Sequence, residues 1–104
     1  MFVYHYLACF STFKKMNTTL LVIDDDLEFV EELSEILIDE GYQVFSATDG
    51  EKGLSLFSHC RPALIILDLK IPDFSGDELI AIFKDKQPQI PVIIISGRPA
   101  YSPL

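Results

Sequence analysis

The chain has no tryptophan, only two cysteines, and no acidic residue before Asp24. Cys9 and Cys60 form no C-x-x-C pair and have no histidine cluster beside them. That makes a zinc or dithiol redox role a poor fit and agrees with two reduced thiols in a cytoplasmic protein. Long hydrophobic runs are also missing. The apolar opening stretch MFVYHYLACFSTF is 13 residues long, where a membrane helix needs about 20. A secretory signal would carry positive charge ahead of its apolar run, and here Lys14 and Lys15 follow it. Residues 1–16 are therefore read as an N-terminal extension outside the fold, as if upstream of a start at Met16; the competing reading is a weak membrane-touching segment. No internal repeat or low-complexity segment is present.

Basic residues are few. Eight Lys and Arg stand against 16 Asp and Glu, for a net charge of -8. From Met16 onward the count is 6 basic and 16 acidic, a net of -10. Such a field repels nucleic acid and anionic membranes and suits a metal cation or a basic partner surface. What the chain does have is apolar mass: 49% of its 104 residues are hydrophobic. That is enough for one core, and one domain of this length buries roughly two thirds of its unfolded surface.

TLLVI at 19–23 is a continuous apolar run ending in Asp24, Asp25 and Asp26, the pattern of a strand buried on both faces of a parallel sheet. From Leu27 the period changes: Phe29, Val30, Leu33, Ile36 and Leu37 mark one face of a helix. Asp25 and Glu28 have capping-box spacing, and Gly41 is a natural stop. YQVFSA at 42–47 predicts a second strand, Asp49-Gly50 a turn, and the stretch through Leu54 and Phe57 a short helix weakened by Gly53. ALIIL after Pro62 is a third strand ending at Asp68, 69–76 a loop, and Leu79, Ile80 and Phe83 a helical face running to about Lys86. VIII at 92–95 is a fourth strand, ending at Ser96-Gly97. Strands alternating with helices through short connections predict an α/β fold with a parallel sheet and helices on both faces.

In open α/β sheets, ligands bind outside the carboxyl ends of the strands. Three of the four predicted strands end there in polar groups: the first at Asp24-Asp25-Asp26, the third at Asp68, the fourth at Ser96. Neighbouring carboxylates repel one another unless a proton or a cation intervenes. Mg²⁺, with its preference for oxygen ligands, answers that need. A carboxylate can also act as the nucleophile that forms an aspartyl-phosphate, and phosphoryl transfer depends mostly on positioning and charge neutralisation. Taken singly, each residue has a plainer use: Asp25 or Asp26 as a helix cap, Asp68 as a turn residue, Ser96 as a strand end, Lys70 as a solvated loop lysine. The argument rests on their common position at strand ends.

LLVIDDD, PALIILDLKIPDFSGDEL and IPVIIISG resemble the three consecutive signature segments of response-regulator receiver domains, the phosphoacceptor modules of two-component signalling. The resemblance runs from about residue 19 to 97, and its third-strand segment, a strand ending in Asp followed by L-x-x-P-x-x-x-G, is highly specific. It implies a flavodoxin-like (CheY-like) three-layer fold with a parallel sheet of order 2-1-3-4-5. Asp24 and Asp25 match the acidic pair, Asp25 as the direct Mg²⁺ ligand. Asp68 matches the phosphorylated aspartate, which also touches the metal. Lys70 matches the position that lends a backbone carbonyl to Mg²⁺ and whose side chain tunes dephosphorylation. Ser96 matches the switch hydroxyl and Gly97 the small residue that leaves room for the phosphoryl group. A histidine kinase or phosphotransfer protein is the implied partner.

The resemblance stops short of the family's fourth helix, fifth strand and fifth helix, since only eight residues follow Ser96. The expected unit is thus a partial receiver domain over 17–104, with sheet order 2-1-3-4. The family's phosphoryl-pairing lysine has no counterpart, and Lys84, Lys86 and Arg98 do not match it. Strand 92–95 then becomes an apolar edge open to self-association. Two other readings stand beside the phosphoacceptor. One is a degenerate receiver serving only as an interaction module or a fragment without function. The other is an aspartyl-phosphate phosphatase, against which Lys70 argues, because such enzymes favour a second Asp there.

Overall fold

The continuous apolar runs of the sequence become the strands of one sheet. In the computed structural model, which describes residues 18–95, the order of elements is β1 (Thr19–Ile23), α1 (Leu27–Asp39), β2 (Gln43–Ala47), α2 (Gly50–Cys60), β3 (Leu64–Asp68), α3 (Gly76–Lys86) and β4 (Val92–Ile95). The expectations placed on residues 1–16, Ser96 and Gly97 lie outside the described residues. All pairings are parallel and the sheet order is β2-β1-β3-β4. β1 and β3 each have a neighbour on both sides, and Leu20–Ile23 and Leu64–Asp68 are buried throughout, which is why they carry no polar alternation.

Successive side chains of β1 and β3 feed opposite faces. Leu20, Val22, Leu64 and Ile66 pack with Val30, Leu33, Leu37 and Tyr42 beneath α1. Leu21, Ile23, Ile65 and Leu67 pack with Phe57, Leu79 and Phe83 beneath α2 and α3. One face is therefore covered by α1 and the other by two helices, giving three layers. β2 and β4 flank the sheet, and Ile94 of β4 is 39% exposed. Among the described residues, no helix is long and apolar enough to cross a membrane.

The helix ends explain the boundaries. α1 stops at Gly41, whose φ of 101° is costly for any residue with a Cβ. Its amide donates to the Ile38 carbonyl at 2.9 Å and the Tyr42 amide to that of Leu37 at 3.1 Å, the paired closure of a Schellman end. At the start of α1 the Asp25–Glu28 box spacing is not used, while the plainer reading of Asp26 as a cap holds. Asp26, not Asp25, is the N-cap, its carboxylate accepting from the Phe29 amide at 3.1 Å. Phe29 thus stands where a box needs Glu or Gln, and Asp25 is left outside the helix. Asp49-Gly50 is likewise the start of α2 rather than a separate turn, with Asp49 as its cap. Gly53 lowers helix propensity in α2, but a Cβ there would lie 2.7 Å from Ile23 Cδ1, so its absence lets helix and sheet approach.

Phe83 is fully buried in α3 and its ring lies 4.8 Å from that of Phe57. Truncation to alanine removes both the transferred area and the packing around it. Phe83→Ala should lower unfolding free energy by about 3–5 kcal/mol in a urea titration followed by circular dichroism. Leu27→Ala, at a side chain 58% exposed, should change it by no more than about 0.5 kcal/mol.

Candidate functional site

The sheet order places the site. The chain leaves β1 for β2 on one side and reaches β3 on the other, so the crevice at the carboxyl ends of β1 and β3 is the point where the winding reverses. Ile23 is in register with Leu67, so the next residues, Asp24 and Asp68, come out side by side. Both are buried, at 7% and 5% exposure, while Asp25 is exposed. One carboxylate oxygen from each of Asp24, Asp25 and Asp68 can be chosen so that all three lie within 4.8 Å of one another. Three of the sequence-predicted ligands are thus brought together. Asp26 is not among them, because its carboxylate caps α1.

Burial pushes the Asp24 carboxyl up to about 6 from its ordinary 3.8, against the hydrogen bond it accepts from the Asp26 amide, and the charges of Asp68 and Asp25 push the same way. Three oxygen donors, two of them buried, with one carboxyl already pressed toward protonation, form a donor set that fits a hard divalent cation such as Mg²⁺. A cation placed among them relieves the repulsion and frees Asp24 to ionise.

The loop after β3 is built to hold its shape. Leu69 follows Asp68, and Lys70 forms an isolated antiparallel bridge with Ser75. Ser75 caps α3 in a reciprocal box: the Glu78 amide donates to Ser75 Oγ at 3.1 Å and the Ser75 amide to Glu78 Oε1 at 3.0 Å. A Cβ at Gly76 would strike the Leu69 side chain and lie 3.0 Å from its Cα. Lys70 lies at the surface of this loop. Ser96 lies outside the described residues, though Ile95, which precedes it, is in register with Asp68. Lys84, which the sequence does not match to a phosphoryl-pairing lysine, donates its Nζ to the Ile90 carbonyl.

Two features were missed in the sequence. The S-x-x-E spacing at 75–78 is a legible box signal. Asp73 reaches the amides of Gly50 and Glu51, and nothing local announces that, because its partners lie 23 and 22 residues away.

Comparison with known proteins agrees with this geometry. The profile of the response regulator receiver domain matches residues 20–102. Sporulation initiation phosphotransferase F of Bacillus subtilis is 37% identical over 82 residues, covering 79% of this chain and 66% of its own length. Transcriptional regulatory protein CssR of the same organism is 38% identical over 85 residues, 82% of this chain but 37% of that protein. Among solved structures, a CheY-like receiver domain protein from Methanospirillum hungatei superposes with a TM-score of 0.76 at 29% identity, covering 79% of this chain and 66% of that one. Response regulator TrrA of Thermotoga maritima, in complex with Mg²⁺ and BeF, superposes with a TM-score of 0.74 at 32% identity, covering 82% and 74%. This chain belongs to the response regulator receiver domain family. It spans 66% of the phosphotransferase and 37% of CssR.

A carboxyl raised on folding favours the protonated form. Its stabilising contribution is present below 3.8 and lost as pH rises through about 6. Asp24→Asn keeps the oxygen that accepts from Asp26 and removes the charge. In EDTA it should raise stability at pH 7 by about 1–3 kcal/mol and flatten the pH dependence between 4 and 6 relative to wild type. Parallel urea-unfolding curves for the two proteins across that range would contradict the assignment.

Proposed function

We propose that Asp68 is the phosphoacceptor of this chain, taking a phosphoryl group from a histidine kinase or phosphotransfer protein in two-component signalling. The observation that carries the reading is the convergence of Asp24, Asp25 and Asp68 within 4.8 Å at the reversal point of a receiver-family sheet. A carboxylate oxygen of Asp68 attacks phosphorus, the bond from phosphorus to the donor breaks, and the donor's leaving group departs with that electron pair. Asp68 has an oxygen within 4.8 Å of the acidic pair and is the buried last residue of β3, so the nucleophile is positioned before the donor arrives. Mg²⁺ supplies charge neutralisation at the carboxylates and at the phosphoryl oxygens. Asp24, Asp25 and Asp68 would hold it through their carboxylates, with the Lys70 backbone carbonyl as a further donor.

In the same reading, the Lys70 side chain tunes loss of the phosphoryl group, and Ser96 is the switch hydroxyl with Gly97 beside it. Support for these roles is positional, two residues after Asp68 and directly after β4. Residues 17–104 form the receiver unit and 1–16 an extension outside it. The chain is a regulatory phosphoacceptor rather than a multiple-turnover enzyme. We place it in the cytoplasm, in keeping with two cysteines that lack a pairing motif. The flank that β4 presents among the described residues, with Ile94 exposed, is where a second copy would add by strand pairing.

Incubation with acetyl phosphate and Mg²⁺ should add one phosphoryl mass to the intact chain. EDTA and Asp68→Asn should each abolish the adduct. An adduct of undiminished yield on Asp68→Asn would place the acceptor elsewhere.

A further inference from the structure

The N-terminus of α2 is capped twice. Asp49 serves it locally: its carboxylate accepts from the Lys52 amide at 2.7 Å and its carbonyl from the Gly53 amide at 3.1 Å. The remaining amides of the first turn, Gly50 and Glu51, donate to Asp73 Oδ1 at 2.7 Å and Oδ2 at 3.0 Å. Glu51 is exposed, where water can satisfy its amide, whereas Gly50 is buried and needs a protein partner. Asp73 meets that need and in the same contact ties its own loop to the helix. Asp73 lies on the segment that leaves Asp68 and carries Lys70, and that segment is otherwise fastened to itself by the Lys70–Ser75 bridge and the Ser75–Glu78 box. Phe74 reinforces the link, since a Cβ at Gly50 would strike its ring and lie 3.0 Å from Asp73 Oδ1.

We infer that Asp73 is a positioning residue that cross-links the loop after Asp68 to the first turn of α2 through a two-pronged carboxylate–amide contact, and so fixes the loop's share of the metal site. Both oxygens of one carboxylate on two successive amides define the loop tip in orientation as well as distance. Without that contact the tip keeps only the packing of Ile71 and Phe74 on the core and its own Lys70–Ser75 bridge, and the backbone at Lys70 is held less firmly relative to the carboxylates of β1 and β3. The inference rests on the reading of Asp68 and Lys70 as parts of a Mg²⁺-dependent phosphoacceptor site.

The test is a Mg²⁺ titration by calorimetry on the full chain, with thermal unfolding measured on each variant. Asp73→Ala should weaken Mg²⁺ binding about tenfold, as loss of a ligand-orienting partner does, and should speed amide hydrogen exchange across 70–75. Asp73→Asn, with one accepting oxygen left, should fall between. Asp49→Ala removes a cap from the same helix end without touching the loop; it should lower stability yet leave Mg²⁺ affinity within about twofold of wild type. Wild-type affinity in folded Asp73→Ala overturns the inference, as does equal weakening by Asp49→Ala, which would reduce the effect to helix fraying. If Asp73→Ala does not fold, Asp73→Asn decides, and wild-type affinity there overturns it. Failure of the functional reading looks different: wild type would then take up no phosphoryl group from acetyl phosphate, whatever the variants do to Mg²⁺.

Discussion

The register between β1 and β3 sets nearly everything else about this molecule. With Ile23 opposite Leu67, two carboxylates emerge next to each other at the one end of the sheet where the winding opens a crevice. A slip of one residue would turn the apolar set of each strand to the wrong helix layer, so the packing of α1 against Val22 and Ile66, and of α2 and α3 against Ile23 and Leu67, holds that register in place. The core and the site are therefore one device: the hydrophobic pairing that stabilises the fold forces like charges together. The strain shows in Asp24, whose burial raises its carboxyl to about 6.

That arrangement was largely legible in the sequence, and for a physical reason. A strand buried on both faces must be apolar at every position, so TLLVI and LIIL announce themselves, and the aspartates that end them can only lie at the sheet's carboxyl edge. Adjacency of β1 and β3 is not contained in either strand alone; it came from resemblance to receiver domains and is realised in the order β2-β1-β3-β4. The receiver resemblance also named Asp25 as a ligand, and the structure gives Asp25 the freedom to serve by handing the cap of α1 to Asp26. The spacing of Asp25 and Glu28 had pointed to the opposite arrangement. Spacing alone could not choose between two adjacent aspartates, since either can accept from an amide three residues on.

Long-range polar contacts were the illegible part. Asp73 reads as an ordinary loop residue after Pro72, and its role depends on two amides brought near it by the docking of α2 over β1 and β2. Gly50 reads as a turn glycine, although the space it leaves is filled by Phe74 from the same distant loop. Such contacts follow from tertiary placement, and no local pattern encodes them. Gly53 is an intermediate case: its helix-weakening propensity was visible, while the nearness of Ile23 that makes a side chain unwelcome there was not.

The acidic residues of this chain divide by what neutralises them. Asp26, Asp49 and Asp73 each accept backbone amides at a helix N-terminus, where the partial positive charge of the helix favours an anion. Hydrogen bonding to those amides holds the Asp73 carboxyl below its ordinary range. In the pocket, burial sets the balance instead. Among the described residues, Asp24 accepts one amide, that of Asp26, and burial outweighs it. Lys84, a cation on the neighbouring helix α3, is engaged with the Ile90 carbonyl. The same residue type thus serves as a structural cap at the N-termini of α1 and α2 and is left electrostatically strained at the β1–β3 crevice. A site in that condition favours whatever brings positive charge, and a divalent cation does so while leaving an Asp68 oxygen available for bond formation. The functional reading follows from this contrast more than from the mere abundance of acids, since most of the chain's 16 acidic residues lie outside the pocket.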